Sequence, residues 1–149
     1  QGDKTMSGKL DDFLTNLQNE IFDDTIKTYG ETAYERWRNP LYMKSIHNPD
    51  GYARVTGPCG DTMEIFLKFN EGRVSDASFQ TDGCGPSQIC GSFAAELAFR
   101  KNLDELKEIT NQTILNIVGG LPEENQHCAL LAANTLHDAV DNYLKKRLS

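Results

Sequence analysis

The run Asp61-Thr62-Met63-Glu64-Ile65-Phe66-Leu67-Lys68-Phe69-Asn70-Glu71-Gly72-Arg73 alternates apolar and polar side chains over its first nine residues. Met63, Ile65, Leu67 and Phe69 fall on one side of an extended chain, Thr62, Glu64 and Lys68 on the other, with Phe66 the exception. Asn70-Glu71-Gly72 then supplies a hairpin turn. Arg73 to Thr81 returns as the next strand, with Ala77 and Phe79 pointing inward. Upstream, Asn48-Pro49-Asp50-Gly51 is a turn signal, Tyr52 to Thr56 reads as a short strand, and Gly57-Pro58-Cys59-Gly60 breaks it with a tight loop. The sum is a three-stranded antiparallel meander.

Helical patterns flank the meander. Leu10, Phe13, Leu14, Leu17, Ile21, Phe22 and Ile26 recur at helical spacing, with Gly30 as a stop signal. A short helix is expected from Glu31 to Arg38, ended by Asn39-Pro40. After Gly83-Cys84-Gly85-Pro86 a helix carries Ile89, Phe93, Ala94 and Leu97 to about Arg100, with Pro86 in its first turn. Shorter helices are expected over Leu103 to Ile109 and Thr113 to Val118, and a final one from His127-Cys128. Strands grouped together and helices grouped together mean α+β: a three-stranded antiparallel sheet covered by helices on one face, with an extra amino-terminal helix. The 149 residues form a single domain, in which Gln1-Gly2 resemble a cleavage remnant within a tag-like stretch 1–5, and 6–40 form a helical extension.

A net charge of −7 argues against a general nucleic-acid binder. No apolar run approaches the roughly 18 residues of a membrane helix, and the polar start lacks a secretory core, so a cytoplasmic location is expected. In a reducing compartment Cys59, Cys84, Cys90 and Cys128 are more often metal-binding, reactive or buried than disulfide-linked.

Three of the four share a setting. Cys59 and Cys84 sit in glycine-bearing turns, and Cys128 opens a helix after His127. Helix starts stabilise a thiolate, the form that binds metal and attacks electrophiles. Asp61 stands two residues after Cys59, where an extended chain aims both side chains the same way. Thiolates suit iron–sulfur clusters and zinc, whereas a carboxylate is a harder, weaker partner for a cluster. A site for permanent electron transfer would be expected to use four thiolates, so three plus Asp61 point to a cluster meant to be handed on. There is no Cys-x-x-Cys, and spacing alone leaves open whether the three cysteines meet.

At these residues the chain resembles the iron–sulfur scaffold family known as IscU, or the amino-terminal part of NifU. The matching motifs are Cys59-Gly60-Asp61-Thr62-Met63, Thr81-Asp82-Gly83-Cys84-Gly85 and His127-Cys128-Ala129-Leu130-Leu131-Ala132, in the family's order. Separations of 25 residues from Cys59 to Cys84 and 44 from Cys84 to Cys128 also match, and the likeness covers roughly Asn48 to Tyr143. The resemblance implies a non-enzymatic scaffold. Its cluster ligands would be Cys59, Asp61, Cys84 and Cys128, with His127 either a residue of the helix start or an exchangeable further ligand. It implies sulfur from a cysteine desulfurase, iron, assembly of a [2Fe-2S] cluster, and transfer to apo-proteins or carriers. Zinc can occupy the same site. Cys128 is the preferred persulfide acceptor. The alternative is a zinc-containing sulfur relay, a subgroup marked by an insertion that this chain lacks. Two features depart from the family. Leu121-Pro122-Glu123-Glu124-Asn125-Gln126 stands where the pattern is Leu-Pro-Pro-Val-Lys, which argues against an Hsp70-type chaperone as partner or for a different delivery partner. The helix from Met6 to about Tyr29 has no counterpart in the ordinary pattern.

The remaining candidates have plainer readings. Cys90 shares a helix face with Phe93, Ala94 and Leu97 and belongs to the core. His47 is a solvated turn residue, and His137 lies off the apolar face of the last helix. Trp37 and Phe66 are either core or partner-facing aromatics.

Overall fold

The structure, a computed structural model, describes residues 30–83, 85–119 and 121–148. The helix expected over Met6 to Tyr29 therefore lies outside the described residues, as does Cys84. Helix α1 occupies 30–38. Strands β1 (Gly51–Thr56), β2 (Thr62–Asn70) and β3 (Arg73–Thr81) follow, then helices α2 (Gly85–Ala98), α3 (Leu103–Lys107), α4 (Asn111–Val118) and α5 (His127–Leu148). The expected meander is present, in spatial order β1-β2-β3 and antiparallel throughout.

Register puts the apolar alternation on one face. Ala53 pairs with Ile65, Ile65 with Phe79, and Leu67 with Ala77. Met63, Ile65, Leu67, Ala77 and Phe79 are fully enclosed beneath α2 and α5. Each large side chain removed from water there contributes about 1.5–3 kcal/mol. At the β2–β3 turn Glu71 and Gly72 both take left-handed backbone, with φ 54° and 81°. Two residues of that hand match the twist of the flanking strands. Phe66, the exception to the alternation, is buried on the opposite face beside the Tyr52 ring, with centroids 5.1 Å apart.

The segment before β1, which the sequence left unassigned, runs along the β3 edge. The Phe79 N–H donates to the Tyr42 carbonyl at 2.9 Å, and the Lys44 N–H donates to the Phe79 carbonyl at 3.0 Å. Pairing of this kind covers an otherwise exposed strand edge. α1 docks on α2 through Arg36, whose guanidinium donates to Ser92 Oγ (3.0 Å) and Glu96 Oε1 (2.9 Å) and stacks over the Phe93 ring. α4 begins two residues earlier than the periodicity suggests, because the Thr110 hydroxyl caps it by accepting from the Thr113 N–H. His137 departs from its expected exposure. It is half-buried, hydrogen-bonded at Nε2 to the Ile109 carbonyl (2.6 Å), because the α3–α4 connection folds against that side of α5.

α2 crosses β3 at Gly91. A Cβ built there falls inside contact distance of the Phe79 ring, so only glycine lets the helix sit at this height. Gly91→Ala should lower stability by about 1–3 kcal/mol through overpacking. Urea unfolding should then show a reduced midpoint at an unchanged slope.

Candidate functional site

One end of the sheet is laced together by side-chain to backbone bonds. The Thr62 N–H donates to Asp82 Oδ1 at 2.7 Å, and the Thr81 hydroxyl donates to the Thr62 carbonyl at 2.7 Å. The Gly83 N–H in turn donates to Thr81 Oγ1 at 3.0 Å. These bonds hold the exit of β3 against the start of β2, so that Gly83 lies beside Asp61. A Cβ on Gly83 would come within 2.7 Å of both Asp61 Oδ2 and Ser87 Oγ. Glycine there is a condition of close approach, not of backbone hand.

The loop ahead of β2 closes on itself. The Gly57 N–H donates to the Asp61 carbonyl at 2.8 Å and the Gly60 N–H to the Gly57 carbonyl at 3.0 Å, with Gly60 at φ 93°. A Cβ at Gly57 would lie in ordinary contact, 3.6 Å, with the methyls of Leu131 in the second turn of α5. Cys59 is thereby presented, exposed, at the tip of a short rigid loop.

Two helix starts complete the site. Ser87, in the first turn of α2 and fully buried, donates its hydroxyl to Asp61 Oδ2 at 2.8 Å. The Ser87 hydroxyl oxygen also lies 3.5 Å from Cys128 Sγ, in the first turn of α5. Cys128 is only 3% exposed. His127 is exposed, with Nδ1 3.0 Å from the Glu124 carbonyl and Nε2 3.6 Å from Cys128 Sγ. A carbonyl can only accept, so Nδ1 carries a proton, and Nε2 is the ring nitrogen turned to the sulfur. The positive end of the α5 dipole faces the same sulfur.

Of the residues singled out from the sequence, the structure links Asp61 to Cys128 through Ser87 and sets His127 beside Cys128, with Cys59 on the adjoining loop. Cys84 lies outside the described residues, and Gly83 borders the cluster. Among the described residues no three His, Cys, Asp or Glu side chains are gathered closely enough to hold a metal ion. No disulfide joins Cys59, Cys90 and Cys128. Ser87, the linking hydroxyl, was not singled out from the sequence. The available signal was its place on the inward stripe of α2 with Cys90, Gly91 and Ala94, all buried. Cys90 lies in the core as expected, and burial pushes its thiol well above the ordinary range, with the neighbouring Cys128 adding to the shift.

Fold and site together define a small α+β domain that presents thiols, a carboxylate and an imidazole at one end of its sheet. The family described as NifU-like N terminal domain matches residues 28–149, more than the Asn48–Tyr143 span of the recognisable motifs. The chain is 35% identical over 119 residues to the iron-sulfur cluster assembly scaffold protein IscU 1 of Archaeoglobus fulgidus, covering 79% of this chain and 78% of that protein. It is 36% identical over 124 residues to the iron-sulfur cluster assembly scaffold protein IscU of Escherichia coli, covering 80% of this chain and 96% of that one. Among solved structures, the N-terminal NifU-like protein of Brucella abortus superposes with a TM-score of 0.65 at 21% identity, over 81% of this chain and 97% of its own. A SufU scaffold from Fervidobacterium islandicum reaches 0.65 at 18% identity, over 78% and 98%. These two likenesses are of fold. The chain belongs to the NifU-like N-terminal domain family. Among its described residues no helix is long and apolar enough to cross a membrane.

Exposure and burial predict thiol reactivity. Brief iodoacetamide treatment of the folded protein at neutral pH should alkylate Cys59 and spare Cys90, as read by peptide mass spectrometry. Equal labelling of the two would contradict the packing described.

Proposed function

We propose that this protein is a scaffold on which a [2Fe-2S] cluster is assembled from iron and desulfurase-derived sulfur, then passed to apo-proteins or carriers. The observation that carries the reading is the meeting of Asp61 and Cys128 through Ser87, across 26 and 41 residues of chain. It is supported by relatives named as iron-sulfur cluster assembly scaffolds. The cluster is cargo. Its donors in this reading are Cys59, Asp61, Cys84 and Cys128, with His127 as an exchangeable ligand through Nε2. Thiolates bind iron firmly, while one carboxylate oxygen gives a harder, more labile bond. Such a set favours holding the cluster long enough to build it and then letting it go.

Sulfur enters in this reading by thiol–persulfide exchange. The Cys128 thiolate attacks the terminal sulfur of the desulfurase persulfide, a new S–S bond forms, and the desulfurase thiolate departs. The transferred sulfur keeps its oxidation state, and the step needs no external oxidant or reductant. Cys128 is only 3% exposed, so the attack requires a local opening at the start of α5. The same donors also suit zinc, in which case the protein acts as a sulfur relay.

Anaerobic incubation with iron, cysteine and a desulfurase separates the two readings. The scaffold reading predicts the visible absorption of a [2Fe-2S] cluster. Retained zinc, no chromophore and a stimulated desulfurase would favour the relay. In the same assay Cys84→Ser should abolish cluster formation and Cys90→Ser should leave it nearly intact; equal loss in both would show the donors to be misassigned. Asp61→Ala should slow release of an assembled cluster to an apo-acceptor, and faster release would contradict the labile role given to the carboxylate.

A further inference from the structure

We propose that Ser87 is a positioning residue that restricts Asp61 to a single metal-binding oxygen and so sets how readily the cargo leaves; this rests on the scaffold reading. Ser87 is fully enclosed, and a buried hydroxyl must find partners. It has one hydrogen to give. Asp61 Oδ2 lies 2.8 Å away and can only accept while ionised, so the hydrogen lies between these two oxygens. That bond occupies Oδ2 and draws charge from the carboxylate, leaving Oδ1 as the donor available to a metal. A hydrogen bond to an ionised group is stronger than one between neutral groups, so the restraint persists in water-exposed surroundings.

The neighbouring residues fix the arrangement. Gly83 packs so closely on the pair that a methyl at this position would strike both Asp61 Oδ2 and Ser87 Oγ. Backbone bonds at Gly57 and Thr62 hold the main chain on either side of Asp61. With the main chain held, only the side-chain torsions of Asp61 are left to carry its carboxylate away from the hydroxyl. Ser87 Oγ also lies 3.5 Å from Cys128 Sγ, so the one side chain stands between both donors.

With Oδ2 released, Asp61 can grip a metal with both oxygens, and release slows. The test uses cobalt(II) as the probe, bound anaerobically, with the thiolate-to-cobalt absorption followed after excess chelator is added. Ser87→Ala should lose cobalt roughly five- to tenfold more slowly than the unaltered protein. In an Asp61→Ala background the same substitution should change nothing, because the effect passes through the carboxylate. Ser87→Thr, which keeps the hydroxyl, should restore the faster rate. An Ser87→Ala rate equal to or above that of the unaltered protein overturns the inference, as does a change that persists without Asp61, while both leave the scaffold reading standing. Absence of any thiolate-to-cobalt band in the unaltered protein overturns the scaffold reading itself, and this inference with it.

Discussion

The close approach of α2 to β3 governs everything at the functional end of the molecule. Gly91 lets the helix lie directly on the Phe79 ring, and that height places the first turn of α2 level with the end of the sheet. Phe79 is held there from both sides, by Ile65 across the register and by the backbone of residues 42 and 44 along the strand edge. A bulkier residue 91 would lift α2, and the lift would be felt at Ser87, one helical turn away. Cores this dense transmit displacement instead of absorbing it.

From that constraint the chemistry follows. Sulfur and carboxylate come from segments far apart in the chain, and each stands at an element end, where side chains are reachable and backbone is fixed. The loop bearing Cys59 leans on Leu131 of α5, and the turn bearing Gly83 is tied to β2 through Thr81 and Asp82. Rigid supports under soft and hard donors suit a site that must bind cargo and give it up. Cys90 shows what the same residue type becomes a turn or two deeper: enclosed in the core, its thiol kept protonated by burial.

Much of this was legible in the sequence because it is written in side-chain period. The alternation from Thr62 to Phe69, broken only at Phe66, marks the strand and its inward face, and the tight Asn70-Glu71-Gly72 run marks the hairpin. His127-Cys128 marked the start of α5, and the helical stripe of Cys90, Phe93 and Ala94 marked the core. What was hidden lies in interactions without a period. The pairing of residues 42–44 with Phe79 runs through backbone groups that every residue carries. Ser87 reads as an ordinary helix-start serine until the fold brings Asp61 and Cys128 to it. His137 lies off the apolar stripe and is covered only because a loop from elsewhere reaches it. Asp61 looks like a turn residue on its own, and its meaning came from resemblance, not from pattern.

Iron K-edge X-ray absorption on anaerobically loaded protein tests the central claim most directly. The account predicts a sulfur-dominated coordination shell with one light-atom neighbour and a short iron–iron vector. A shell of oxygen and nitrogen alone, with no second iron nearby, would contradict it.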